Sequence, residues 1–340
     1  MNHFTHEALP LQFSNKDHVC QKEDLLLITF SGRRRVLSTS AYNGGIRDDL
    51  SCVFNYDLSR NKTAWCELLA PTLEEHMEKL GNLLNLPSNH TGLCTAAQIQ
   101  NTAIVQDTWE GICVTALVTA GIDENGGRAG DPASWQEKDG VLGYPIGTIN
   151  LLLHFNCNLS LGALTGALLT ATEAKSAAIQ ELLLPSQVSN GIATGSGTDG
   201  AIIICDPNSK HLFTDTGKHS KLGELIGRTV HDAVYSALFL QTGASPKRLH
   251  DATRLLGRFG LTSDLLKEQF PHISNEEMVS LCQKEEVWSI AAVQAHLMDL
   301  ENWNILSHEQ MIHVAEKLYP CANLPWPQSF LTLLKNKTIN

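Results

Sequence analysis

The chain has 340 residues, of which 43% are hydrophobic and 18% charged, a balance that excludes a disordered protein and leaves room for more than one folded unit. Its formal net charge of −11, with no block of Lys or Arg, argues against a nucleic-acid surface, because phosphate neutralisation needs a basic face. No apolar run reaches the roughly 20 residues that span a bilayer, and MNHFTHEALPLQF lacks a basic segment followed by an apolar one, so no membrane segment or signal peptide is expected and a cytoplasmic location is.

The nine cysteines are odd in number and include no C-x-x-C pair. They fit neither a disulfide framework nor a zinc ribbon, and read as small core residues in a reducing compartment.

After a polar arm over residues 1–23, segments 25–30 and 36–40 read as paired strands joined by Ser31-Gly32-Arg33-Arg34, and Asn43-Gly44-Gly45 breaks the pattern. Arg33-Arg34-Arg35 reads as a solvated strand entry. Residues 73–84 carry apolar side chains at helical spacing, and 112–120 read as a buried strand. A long polar, glycine-rich loop follows from Asp123 to Gly143, of the kind that often carries function. Residues 147–156 form the next expected strand, and Ser160 is the expected N-cap of a helix running to about residue 184.

On a wheel of about 100° per residue, Leu161, Leu164, Leu168, Ile179 and Leu182 share one face of this helix with Lys175. Glu173 falls about 160° away with Ala177, Gln180 and Leu184. Glu173 and Lys175 are therefore not expected to serve one site. Lys175 is a buried ion-pair member or a residue facing a cleft.

The stretch GIATGSGTDGAIIIC, residues 191–205, contains the spacing G-x-G-x-x-G. A dinucleotide loop opens a helix, whereas this one leads into the β-branched run Ala201-Ile202-Ile203-Ile204. It is expected to be a glycine-rich connection between strands. Asp199 and Asp215 lie in turns, where Asp commonly bonds the local backbone. Gly217-Lys218-His219-Ser220 is expected to open a helix to about residue 240, placing His219 where a helix N-terminus favours anions and where an imidazole can act as general base. Glu224 and Arg228, four apart, read as an exposed ion pair. Strands and helices alternate to about residue 243, an α/β or α+β layered core over 24–243, and residues 246–340 read as a helical C-terminal region.

The run GTINLLLHFNCNLSLGALTGALLTATEAKSAAIQEL, followed by SNGIATGSGTDGAIII and TDTGKHSKLGELIG, resembles the adenosylcobinamide amidohydrolase family. STSAYNGGIRDDLSCVFN and VTAGIDENGGRAGDPA are similar to family segments too. The resemblance covers about residues 25–240 and leaves the helical tail outside. It implies hydrolysis of the amide joining the aminopropanol arm to the corrin ring of adenosylcobinamide, giving adenosylcobyric acid and 1-amino-2-propanol in corrinoid salvage for cobalamin biosynthesis.

On the matching motifs, His219 or Asp199 would activate water, Lys218 with backbone amides near Gly217 or Gly195 would hold the oxyanion, and Glu173 is the alternative acid or base. Asn43, Gly44, Gly45, Asn150, Thr194, Gly195, Ser196, Gly197, Thr198 and Lys175 would contact the amide-rich corrinoid. A serine or threonine nucleophile in the glycine-rich stretch stays open, as do an assisting divalent metal, self-association, and a corrinoid-handling protein that cuts no bond. Cobalt enters only as part of the corrinoid substrate.

Overall fold

The apolar strands alternate side chains between two faces, and each face is covered by a different layer. The computed structural model of the chain describes residues 11, 13–59, 68–133 and 147–318. Residues 1–10 of the polar arm, 134–143 of the long loop and 319–340 of the helical tail lie outside the described residues. The chain divides into two units, one of residues 1–184 and 192–244, the other of 185–191 and 245–340.

The first unit holds β1 (His18–Gln21), β2 (Leu25–Thr29), β3 (Arg35–Ser38), β4 (Gly45–Arg47), β5 (Cys52–Asp57), α1 (Leu73–Leu83), β6 (His90–Thr95), β7 (Ala103–Trp109), β8 (Ile112–Gly121), β9 (Gly126–Gly127) and β10 (Thr148–Phe155). It continues with β11 (Asn158–Leu159), α2 (Leu161–Glu181), β12 (Gly195–Ser196), β13 (Gly200–Cys205), β14 (Leu212–Phe213) and α3 (Lys221–Thr242). One sheet has the order β1-β2-β5-β6 and is antiparallel apart from the β5–β6 pair. The larger sheet, β4-β3-β13-β10-β8-β7, is antiparallel apart from β10–β13, whose parallel connection is α2.

Leu26, Ile28, Val53 and Leu93 of the smaller sheet meet Val36, Leu117, Leu152, Ile202 and Ile204 of the larger. Leu25 and Phe54 turn the other way, onto Met77 and Leu80 of α1. On the far side of the larger sheet, Val114, Ala116, Val118, Leu151, Leu153 and Ile203 lie under α2 and α3. The result is a mixed α/β unit of four layers: helix, sheet, sheet, helices. All eight residues of β10 are buried, as a central strand covered on both faces requires.

Ser160 caps α2, its Oγ accepting from Ala163 N–H at 3.2 Å, and Ser220 caps α3 in the same way from Gly223 N–H at 3.0 Å. Helix α3 ends at Gly243 in the left-handed conformation, φ 71°, the ordinary use of glycine at a helix C-terminus. In α2 the buried stripe is Ala163, Leu164, Ala167, Thr170, Ala171, Ala174, Ala178 and Ile179, whereas Leu161 stands 56% exposed. Of the leucine face expected from the sequence, Leu164, Ile179 and Leu182 are buried, and the buried face extends from them onto the alanines and Thr170, small side chains that let neighbouring groups come close. A Cβ on Gly166 would sit 2.6 Å from Thr216 Oγ1.

Two other expectations are corrected. Segments 25–30 and 36–40 do not form a hairpin, since β2 pairs with β1 and β5 while β3 pairs with β4 and β13, in different sheets. The chain crosses between the sheets at Arg34, which is buried, not solvated: its Nε and Nη2 donate to the two oxygens of fully buried Asp17 at 2.7 and 2.9 Å. His154 Nε2 lies 3.0 Å from the same carboxylate, and its ring stacks on Phe13 with centroids 3.7 Å apart. Desolvation prevents such a group from staying charged without partners, and here the partners anchor residues 13–17 to both sheets.

The second unit comprises α4 (Pro246–Leu249), α5 (Ala252–Leu256), α6 (Ser263–Gln269), α7 (Asn275–Cys282), α8 (Glu285–Asn302) and α9 (His308–Leu318). Its core gathers Leu255, Leu256, Phe259, Leu266, Met278, Val287, Met298 and Met311. Arg258 grips Asp299 through two parallel hydrogen bonds of 2.5 and 2.6 Å.

Candidate functional site

At one end of the larger sheet β3 and β8 finish while β10 and β13 begin, and the connecting segments meet there. Thr39, just after β3, donates its N–H to Ala201 O at 3.0 Å and accepts from Ala201 N–H on Oγ1 at 2.9 Å. The segment after β8 pairs through β9 with β12, Gly127 opposite Gly195 and Gly126 opposite Ser196. Around this pair, Thr194 N–H donates to Gly127 O at 2.9 Å, Ala129 N–H to Thr194 Oγ1 at 3.0 Å and Gly197 N–H to Asn125 O at 3.2 Å. Asn125 Nδ2 donates to Gly147 O at 2.6 Å, and the hydroxyls of Thr148 and Thr198 meet at 2.6 Å. Four stretches distant in sequence are thereby fastened into one surface.

The G-x-G-x-x-G spacing lies in this surface and opens no helix. Gly195-Ser196 is β12, Gly200 begins β13, and the turn between them is closed by Asp199. Its Oδ1 accepts from Ser196 N–H at 3.0 Å, from Ser196 Oγ at 2.6 Å and from Ile149 N–H at 3.2 Å. Its Oδ2 accepts from the Lys175 ammonium, which reaches in from α2. Ser176, the next residue on α2, donates Oγ to Thr194 O at 3.0 Å. A Cβ at position 195 would meet Asp199 Oδ2 at 2.2 Å and Lys175 Nζ at 2.8 Å, so glycine is required there by the approach of an ion pair.

Glu173, two residues before Lys175, serves another place. It pairs with Lys218 in a groove of about 280 Å³ lined also by Gly162, Gly166, Thr170 and Thr216. Thr170 Oγ1 donates to Thr216 O and Thr216 Oγ1 to Ala163 O, each at 2.8 Å, fastening the segment before α3 to α2. Asp215 takes the turn role read from the sequence, accepting from Gly217 N–H at 2.8 Å. Helix α3 starts at Lys221, so His219 precedes the cap Ser220. It is exposed, and its ring makes no hydrogen bond among the described residues. The structure thus brings Lys175 to Asp199 and Glu173 to Lys218, and leaves His219 outside both pairs.

The remaining sequence candidates are held by the protein itself. Asn150 is 1% exposed, its Nδ2 shared between Asn55 Oδ1 at 2.7 Å and Cys94 O at 2.8 Å, while Asn55 donates to Thr119 Oγ1 at 2.9 Å. This polar joint between the sheets lies beneath the surface just described. Asn43 adopts φ 52°, donates to His90 O at 2.9 Å and accepts from Arg47 at 2.9 Å. Gly44 is pressed onto Ser40 O, 2.1 Å from where a Cβ would stand, and Gly45 has φ 78°.

Several residues at the surface were not singled out from the sequence: Thr39, Asn125, Arg128 and Thr148. Arg128 donates Nη1 to Ile192 O at 3.2 Å. The signal that could have found Asn125 and Arg128 was the polar, glycine-rich composition of their loop. Among the described residues no three or more His, Cys, Asp or Glu side chains gather where they could hold a metal ion, and no helix is long and apolar enough to cross a membrane.

A family model described as adenosylcobinamide amidohydrolase matches residues 10–246, which contain every segment of this surface. An uncharacterized protein of Methanocaldococcus jannaschii, MJ1613, is 31% identical over 238 residues, 66% of this chain and 89% of that one. A protein of Methanosarcina mazei named adenosylcobinamide amidohydrolase is 27% identical over 205 residues, 60% of this chain and 82% of that one. Among solved structures, the PH0078 protein of Pyrococcus horikoshii OT3 aligns at 12% identity and a TM-score of 0.32, over 68% of this chain and 83% of that one.

Proposed function

This chain belongs to the adenosylcobinamide amidohydrolase family, and from that premise we propose that it hydrolyses the amide linking the aminopropanol arm to the corrin ring of adenosylcobinamide. The products are adenosylcobyric acid and 1-amino-2-propanol, and the reaction serves corrinoid salvage for cobalamin biosynthesis in the cytoplasm. One observation carries the reading beyond the family name: segments 39–45, 122–129, 147–150 and 194–200, scattered through the matched region, converge on one end of one sheet. Strand-end crevices are where layered α/β units hold small molecules. The Lys175 ammonium reaches the same end of the sheet from α2, a donor for the carbonyls of an amide-studded corrin edge.

Amide hydrolysis asks for a positioned water, a cation or N–H groups at the developing oxyanion, and a proton for the leaving amine. The end of the sheet supplies a carboxylate and an ammonium at Asp199 and Lys175, whereas Glu173, Lys218 and His219 stand apart from that pair.

The test is incubation of the purified full chain with adenosylcobinamide, with and without a chelator, followed by chromatographic and mass identification of the corrinoid. Adenosylcobyric acid with an equal yield of 1-amino-2-propanol is the expected outcome, and chelator sensitivity decides whether a divalent metal takes part. An unchanged corrinoid that nevertheless binds would replace hydrolysis with a corrinoid-handling role.

A further inference from the structure

The glycine-rich stretch contains several groups that could do chemistry, and counting their hydrogen bonds separates those already committed from those still available. Asp199 is committed: three donors converge on Oδ1 and the Lys175 ammonium occupies Oδ2. Ser196 is committed too, its hydroxyl proton given to Asp199 and its oxygen accepting from Thr198 N–H at 3.2 Å. The hydroxyls of Thr148 and Thr198 meet each other and both reach Gly147 O, at 2.6 and 2.7 Å.

Lys175 differs. An ammonium carries three N–H donors, and among the described residues Asp199 is the only group that accepts from it. Two donors are left unspent on a side chain that is 14% exposed. Its stem rises from α2 beside Ser176, which is itself fastened to Thr194, and the missing Cβ at Gly195 gives the ammonium its place against the loop. An ammonium held in place by a carboxylate that is itself held by three further donors is preorganised, and a fixed cation needs no rearrangement as negative charge appears beside it.

We propose that Lys175 binds the carbonyl oxygen of the scissile amide and holds it as an oxyanion, and that Asp199 is its positioning residue and not the base that activates water. This rests on the amidohydrolase reading above. In the step, the oxygen of water bonds to the carbonyl carbon and the C=O π pair moves onto the oxygen, against the Lys175 ammonium, which keeps its proton throughout. The pair then returns, the C–N bond breaks with its electrons going to nitrogen, and the two protons of the water end on that nitrogen. Amide and water thus become carboxylate and ammonium with no other reactant.

The experiment compares the full-length wild type with Lys175→Met, Lys175→Arg, Asp199→Asn and the double variant Lys175→Met/Asp199→Asn, in which neither member of the pair is left charged alone. Rates on adenosylcobinamide are measured across pH, beside thermal melting. The double variant is expected to melt near wild type yet lose at least about a hundredfold in kcat, with KM changed less than about threefold. Lys175→Arg should regain part of the rate. Asp199→Asn should be slower but keep the acid limb of the wild-type pH–rate profile. A double variant within threefold of wild-type kcat, or loss of that acid limb in Asp199→Asn, would overturn the assignment while leaving the reaction standing. A wild type that forms no adenosylcobyric acid would overturn the reaction itself, and the assignment with it.

Discussion

Gly195 and Asp199 are so placed that a methyl group on the first would stand 2.2 Å from a carboxylate oxygen of the second. The backbone is fastened here by the β9–β12 pairing, so what such a methyl group would displace is the Lys175–Asp199 ion pair. Gly195→Ala is expected to slow adenosylcobyric acid formation by about a hundredfold, the order of loss that an ångström of misplacement produces. Gly227, on α3 with open space where its Cβ would be, offers the contrast: Gly227→Ala should raise the unfolding free energy by about 0.5–1 kcal/mol. Initial rates and urea midpoints check both.

Arg34 and Asp17 make a pair with both side chains almost wholly buried. Arg34→Met removes the cation and leaves the carboxylate facing only His154 and local donors, a change expected to cost about 3–5 kcal/mol. Arg33, 59% exposed in its pair with Asp48, should cost no more than about 1 kcal/mol when replaced by alanine. Chemical denaturation of the two variants separates buried from surface electrostatics within one tripeptide.

Burial holds His154 below the usual imidazole value, against the pull of Asp17 and Asp206 toward the proton and with Arg34 opposing it. Burial also raises Asp17, but hydrogen bonds from His154, Arg34 and Ser31 outweigh it and keep that carboxyl low. As pH falls through about 6.5, the unfolded chain therefore takes up a proton at His154 before the folded chain does, and stability declines. The Asp17 contribution has the same sign but is lost only below the ordinary carboxylate range. The wild-type melting temperature is expected to drop between pH 7.5 and 5.5, and His154→Gln to flatten part of that drop. An unchanged slope in the variant would place the acid sensitivity elsewhere.

The alanine stripe of α2 is buried in the core it shares with α3. Ala171→Leu is expected to destabilise by about 1–3 kcal/mol through overpacking, while Leu169→Ser, at a position 68% exposed, should change stability little. Thermal melts of the two variants decide it.

Much of the first unit was legible from residues alone. The apolar runs that became β8 and β10 were bounded by turn residues, Ser160 announced α2, and the isoleucines after Gly200 identified a strand where a nucleotide loop would have had a helix. The resemblance to the amidohydrolase family was carried by the same motifs. What stayed hidden depended on partners distant in the chain. Arg34 looked like one of three surface arginines because nothing local shows that Asp17 and His154 close over it. On α2, Leu164, Ile179 and Leu182 are buried as their face implies, but the alanines beside them gave no signal, because leucine outranks alanine in hydrophobicity whereas the space between packed elements admits the smaller residue. Lys175 and Asp199, 24 residues apart, each gave a local signal, a lysine on an apolar stripe and an aspartate in a turn. Only the fold pairs them.

Thr39 and Ala201, whose hydrogen bonds help close the end of the larger sheet, are 162 positions apart in the chain, and β13 can add to that sheet only after α2 has been made. Pairings of such long range are slow to form. On the ribosome the converging segments cannot assemble until β13 has emerged, and a fragment ending before Gly200 lacks the strand to which Thr39 is fastened. In refolding, recovery of turnover should trail recovery of helical signal, so that catalysis itself becomes the reporter of a finished fold.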